Sequence, residues 1–191
     1  MSAREKILHA ALRVIGEEGV GGVTNRRIAT EAGVSLGTLT YWFETQEDLL
    51  RKSMVLFVRE ETERMMDLAI DGAHGGLSRE QAAALVEEVA ESITFGPAEL
   101  GAFELFLHAG RDEALREDAA RCWLAYDAVA STVLSGLGIE DPEPLVGPVV
   151  ALIAGLQLRR LATGTAGGTG IAESLLMLLG NVLPQEGTAR S

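Results

Sequence analysis

A short stretch near the N-terminus concentrates side chains able to read a nucleic acid. Leu36, Gly37, Thr38, Thr40, Tyr41 and Trp42 fall on the outward side of a segment whose inward positions are Leu39 and Phe43. The hydroxyls of Thr38 and Thr40 can bond base edges or phosphates, and Leu36 or a threonine methyl can touch the methyl of thymine. Gly37 lets the backbone come close to a duplex. Arg26, on the segment before, has the reach and the planar fork suited to guanine or to a phosphate. This is recognition chemistry. No Ser-His-Asp or Cys-His constellation, phosphate-cradling glycine loop or paired metal-ligand motif accompanies it. The chain therefore reads as a non-enzyme with no cofactor. One cysteine and three scattered histidines offer neither an intramolecular disulfide nor a metal-site spacing.

Positioning these groups requires two short helices and a tight turn, and the stretch TNRRIATEAGVSLGTLTYWFETQEDLL (Thr24 to Leu50) supplies them. Ile28, Ala29 and Ala32 share one face of a helix over Asn25 to Ala32. Gly33 suits the left-handed exit from that helix, and Ser35 can cap the next, which runs Leu36 to Phe43. Thr45 caps a third helix whose first turn carries Glu47 and Asp48, where the helix dipole favours negative charge. Helix, glycine-containing turn and helix make a helix-turn-helix, a unit that lays its second helix in the major groove of DNA.

Thr24, Arg26, Ile28, Ala29, Ala32–Gly33–Val34–Ser35, Gly37–Thr38–Leu39, Phe43, Glu47 and Leu49–Leu50 stand in the order and spacing of the DNA-binding segment of the TetR family. The chain resembles that family of one-component transcriptional regulators over roughly its first 50 residues. By position, the resemblance implies DNA contact by Arg26, Leu36, Gly37, Thr38, Thr40, Trp42 and Gln46. Two residues depart from the family pattern: Thr40 stands where a tyrosine is usual, and Gln46 where a phosphate-gripping lysine is usual. Both changes remove backbone anchoring, so the expectation is modest affinity or compensation by Arg27 or Tyr41.

The charge distribution qualifies this reading. The net charge is −12, yet residues 1–52 hold equal numbers of basic and acidic side chains, so the whole deficit lies in residues 53–191. A neutral head on an acidic body fits a DNA reader whose body faces away from the duplex. It does not favour strong non-specific binding. With 47% hydrophobic but only 5% aromatic residues, the core is built from Ala, Leu and Val, and the fold class is all-α. The N-terminus lacks the layout of a secretory signal, and no uninterrupted apolar run reaches the length of a membrane span. The expected location is cytoplasmic, with no membrane partner.

Along the chain, Ser2 and Glu5 form a capping box for an amphipathic helix to Glu18, with Ile7, Leu8, Ala11, Leu12 and Ile15 buried. The helix capped by Thr45 meets no breaker before Gly72. A glycine-rich turn to Leu77 precedes a second capping box, Ser78 with Gln81, and a helix to about Phe95. Pro97 opens the next helix, the chain breaks near Arg111, and Glu113 to Leu137 is mostly helical. Glu143–Ala162 and Ile171–Leu183 are apolar around much of their circumference and so need a partner surface. The glycines of TGTAGGTG (Thr163 to Gly170) form a loop, and the tail from Pro184 is loose.

The predicted architecture has about nine helices: a three-helix head over residues 1–44 and a helical effector-binding and dimerisation body over 45–191. The resemblance implies a homodimer through Glu143–Ala162 and Ile171–Leu183, and a palindromic operator in double-stranded DNA. In the body, Met66, Phe103, His108, Trp123 and Tyr126 are candidate contacts for a small, largely apolar effector, with His108 and Tyr126 as polar handles. The predicted function is a repressor released by that effector. A constitutive DNA binder, a helical protein–protein interaction module and an unrecognised enzyme remain as alternatives.

Overall fold

The computed structural model describes residues 1–72, 81, 84, 87, 88, 96–164 and 170–180. Among these the chain is all-α, with eight α-helices and no strand. The turn after Gly72, the Ser78 cap, Phe95, the loop at 165–169 and the tail from Pro184 lie outside the described residues. So does most of the helix expected between Ser78 and Phe95, although Gln81, Ala84, Glu87 and Glu88 are helical. The chain divides into two compact units, Met1–Glu60 with Thr94–Leu124, and Glu61–Ile93 with Ala125–Ser191.

In the first unit, helix α1 (Ala3–Glu18) opens on the expected capping box, Ser2 and Glu5 satisfying each other's backbone N–H groups. Its buried stripe is Ile7, Leu8, Ala10, Ala11, Leu12, Val14 and Ile15. A short 3-10 turn at Val20–Gly22 leads to α2 (Asn25–Ala32), capped by the Thr24 hydroxyl, which accepts from the Arg27 N–H at 3.2 Å. Helix α3 (Leu36–Trp42) is capped by Ser35, which accepts from the Thr38 N–H at 3.0 Å. Phe43 ends it in an extended conformation, its side chain buried with Leu39 and Ile28.

Gly33 makes the turn between α2 and α3 at φ 65° and ψ 35°. A side chain there would meet no atom within 4 Å, so only the backbone resists substitution. We expect Gly33→Ala to cost about 1–2 kcal/mol, the left-handed penalty for an L-residue. It should appear as a lower urea midpoint with an unchanged slope.

Helix α4 (Gln46–Gly72) starts where the Thr45 hydroxyl accepts from the Asp48 N–H at 3.0 Å, and it buries Leu49, Leu50 and Met54 near that end. Helix α5 (Pro97–Ala109) begins with proline at its first position, where a missing N–H costs nothing. Helix α6 (Glu113–Gly136) follows the expected break. Asp118 on α6 is 8% exposed and holds Arg51 of α4 at 2.5 Å and Arg121 on its own helix.

The second unit contains α7 (Glu143–Thr163), ended by Gly164 in the left-handed region, and α8 (Ile171–Leu179). Its core joins Ala130, Leu134, Leu137, Ile139, Val146, Val149, Leu175 and Leu179. Packing uses only one side of these helices. Gly147, Ala151, Gly155 and Leu158 form an exposed stripe on α7, and Met177 and Leu178 are exposed on α8. By length and composition alone α7 could cross a membrane, which the count of uninterrupted apolar residues did not anticipate. Only 11% of its most apolar window is buried within the chain. Helix α7 thus packs one side on the core and leaves an apolar side open.

Candidate nucleic-acid interface

Helix α3 presents the predicted reading residues outward. Leu36 and Trp42 are 44% and 42% exposed and Tyr41 is 79% exposed, while Gly37 and Thr40 are also exposed and Thr38 is half-buried. Tyr41 and Trp42 stand edge to face, with ring centroids 5.3 Å apart, so both aromatics face solvent and neither packs inward. The Thr38 hydroxyl sits 2.9 Å from that of Ser35, and Thr40 donates back to the carbonyls of Leu36 and Gly37 at 3.2 Å. Those are the local bonds a threonine makes on a helix when nothing else is offered, and a base edge or phosphate can compete for them. Gln46 is exposed, but its amide donates to the Val23 carbonyl at 3.2 Å, so it also braces the entry to α2.

The two neighbouring arginines of α2 differ sharply. Arg26 is exposed and, among the described residues, its guanidinium has no ion-pair partner. Arg27 is enclosed by three carboxylates, with Glu17 at 3.0 Å, Glu18 at 2.8 Å and Glu31 at 2.9 Å. Its pairing with Glu31 raises the arginine's pKa further, and Arg27 together with Arg13 holds the Glu31 carboxyl below the usual range. Arg27 is thus committed to carboxylates that a phosphate contact would have to displace. It ties α1 to α2, whereas Tyr41 is exposed. Lys52 is also committed, bonded to Asp48 at 2.6 Å with its ammonium 5.6 Å from the Phe43 ring centroid.

The candidate effector residues fall into both units. Phe103, His108 and Trp123 belong to the first, where Trp123 packs on Phe106 at 5.2 Å and His108 lies 3.6 Å from Asp112. Met66 and Tyr126 belong to the second, where the Tyr126 hydroxyl donates to the buried carboxylate of Glu61 at 2.5 Å. Sequence reading passed over Glu61. Its only signal is an acid at a core-facing position of α4, which periodicity alone makes hard to separate from the flanking solvated charges. Cys122 is buried, and that burial pushes its thiol up to about 11, which fits a small hydrophobic side chain.

Residues 7–52 match the family described as "Bacterial regulatory proteins, tetR family", and residues 77–185 match "Tetracyclin repressor-like, C-terminal domain". Among curated proteins, the chain is 30% identical over 164 residues to the HTH-type transcriptional regulator BetI of Rhizobium meliloti (strain 1021), covering 82% of this chain and 77% of that one. It is 45% identical over 67 residues to the HTH-type transcriptional regulator PksA of Bacillus subtilis (strain 168), a match spanning 35% of this chain and 33% of PksA. Among solved structures, the multidrug binding protein EbrR complexed with imidazole superimposes with a TM-score of 0.65 at 29% identity, covering 98% of both chains. EbrR complexed with ethidium gives 0.65 at 28%, covering 96% of this chain and 100% of that one. A TetR-family member of Streptomyces coelicolor A3 gives 0.67 at 27%, covering 97% and 100%.

Proposed function

The chain belongs to the tetR family of bacterial regulatory proteins, and from that premise we propose that it is a cytoplasmic repressor, not an enzyme, that leaves a palindromic operator when a small, largely apolar effector binds. Residues 1–44 are the DNA-binding head in this reading, and 45–191 carry effector binding and dimerisation. The observation that carries it is the outward face of α3 beside an arginine, Arg26, that has no ion-pair partner among the described residues. Leu36, Gly37, Thr38, Thr40, Tyr41 and Trp42 read or brace the major groove, and Gln46 contacts the backbone by exchanging its bond to Val23.

The dimer joins the exposed faces of α7 and α8 with those of a second copy. Four helices then bury the stripe of Gly147, Ala151, Gly155 and Leu158 together with Met177 and Leu178. A two-fold dimer sets its reading helices one turn of DNA apart, about 34–36 Å, and so selects a palindrome.

The effector contacts Met66, Phe103, His108, Trp123 or Tyr126, and it is supported by the ligand complexes of EbrR. It acts by binding more tightly when α4 is tilted, since a ligand shifts an equilibrium only by its differential affinity for the two states. A gel shift with DNA from around the protein's own gene tests the reading. A discrete, sequence-selective complex supports the DNA-reading part, a melting temperature raised by ethidium in the absence of DNA supports the effector part, and absence of any sequence-selective complex overturns the reading.

A further inference from the structure

Two glycines in the interiors of α1 and α5 have no part in the functions assigned so far, and both sit where no other residue fits. A methyl built on Gly16 would overlap the carbonyl oxygen of Pro97, and one built on Gly101 would overlap the carbonyl oxygen of Leu12. The contact is reciprocal: the Leu12–Gly16 turn of α1 lies on the Pro97–Gly101 turn of α5, backbone against backbone. Helix α1 packs more extensively on α5 than on either helix of the reading pair. Gly101, Ala102, Leu105 and Ala109 are buried along this side of the unit, as are Leu12 and Ile15 of α1. A mid-helix glycine costs stability relative to alanine, so a pair each set with its Cα against a carbonyl of the other helix marks a required close approach.

We infer that Gly16 and Gly101 are positioning residues for operator recognition, making the head one rigid piece with α5 so that it cannot pivot alone about its short link to α4. The ion pair of Arg51 with Asp118 braces the same unit where α4 meets α6. At van der Waals contact between backbones there is no side chain whose rotamers could absorb a displacement. In a dimer, head pivoting is what would let the protein accept half-sites at the wrong separation. The clamp therefore removes head pivoting as a source of tolerance to half-site spacing. This inference rests on the proposed DNA-reading dimer.

The test uses the full-length protein and a duplex selected on it from a random-sequence pool, then the same duplex with one base pair inserted at its centre. Wild type should lose most of its affinity on the insertion. Gly101→Ala and Gly16→Ala should narrow that ratio by about 2- to 30-fold, the range for residues that tune coupling between sites. Gly170→Ala, where a methyl meets nothing and which lies outside the proposed dimer stripe, should leave the ratio unchanged. The same ratio in wild type and both clamp variants overturns the inference. Hydrogen exchange on wild type decides the matter independently of DNA and of whether the variants fold. The slowest amides of α1 and α5 should open together, and separate opening overturns the clamp. Failure of wild type to bind any duplex would instead sink the function proposed above, leaving the exchange result to judge the clamp.

Discussion

A carboxylate introduced at Ala151 is expected to yield a folded protein that no longer dimerises and that loses at least about 100-fold in operator affinity. Ala151 lies on the exposed stripe of α7, so within a single chain the new side chain stays in water. Such a surface change shifts stability by no more than about 0.5 kcal/mol. In a two-fold interface every residue enters twice, so one substitution buries two charges. Each carries an effective desolvation penalty of several kcal/mol, and the stripe around Ala151 (Gly147 and Gly155) holds no cation to pair with it, Arg159 lying two turns away. The operator loss then follows from lost bivalence, because a monomer holds one half-site without the effective concentration that a tethered partner supplies. Sedimentation equilibrium and titration of duplexes bearing one or two half-sites measure both effects. Val149→Glu provides the contrast. Val149 is 6% exposed within the α7–α8 core, and a glutamate there should unfold the unit. An Ala151→Glu protein that remains dimeric would remove this face of α7 from the interface.

The helices of the head were legible in the sequence because their ends are chemically marked. Ser2 with Glu5, Thr24, Ser35 and Thr45 each cap the helix they were read to cap. Gly33 takes the left-handed conformation that its place in the turn required. Period-3.6 patterning correctly put Leu39 and Phe43 inside and the reading face outside. What escaped was pairwise and long-range. Arg26 and Arg27 are indistinguishable by composition, and only the folded placement of Glu17 and Glu18 beside Glu31 commits one of them. Asp118 looked like one acid among many on α6, yet it is buried by a partner 67 residues away, Arg51. Gly16 and Gly101 carried a signal in being mid-helix glycines, but that pattern says close approach without saying to what. The exposed stripe of α7 was read correctly as greasy. Which of its residues lie outward became clear only once Val146 and Val149 were seen to pack against Leu175 and Leu179.

The arginine pair gives the second large effect. Arg26→Ala should weaken operator binding by about 1–3 kcal/mol per half-site, roughly 5- to 150-fold, while leaving the dimer intact. No ion pair among the described residues is broken, so stability should not change. The pattern of the loss identifies what the guanidinium touches. If it is bidentate to guanine, discrimination relaxes at one base-pair position and the salt dependence stays the same. If it grips a phosphate, binding weakens evenly across sequences and the salt slope falls by about one. Arg27→Ala should behave in the opposite way. Its loss leaves Glu17, Glu18 and Glu31 close together with Arg13 as their remaining cation, and it unties α1 from α2. The consequence is a head that unfolds at lower urea, with DNA affinity reduced only as far as the folded fraction is reduced. The contrast matters because a nearly neutral head has few phosphate contacts to spend, so recognition leans on specific groups and on dimer geometry. Equal losses of operator affinity in the two variants, with no change in stability for either, would show that Arg27 leaves its carboxylates to meet the duplex, and the division of labour argued here would fall.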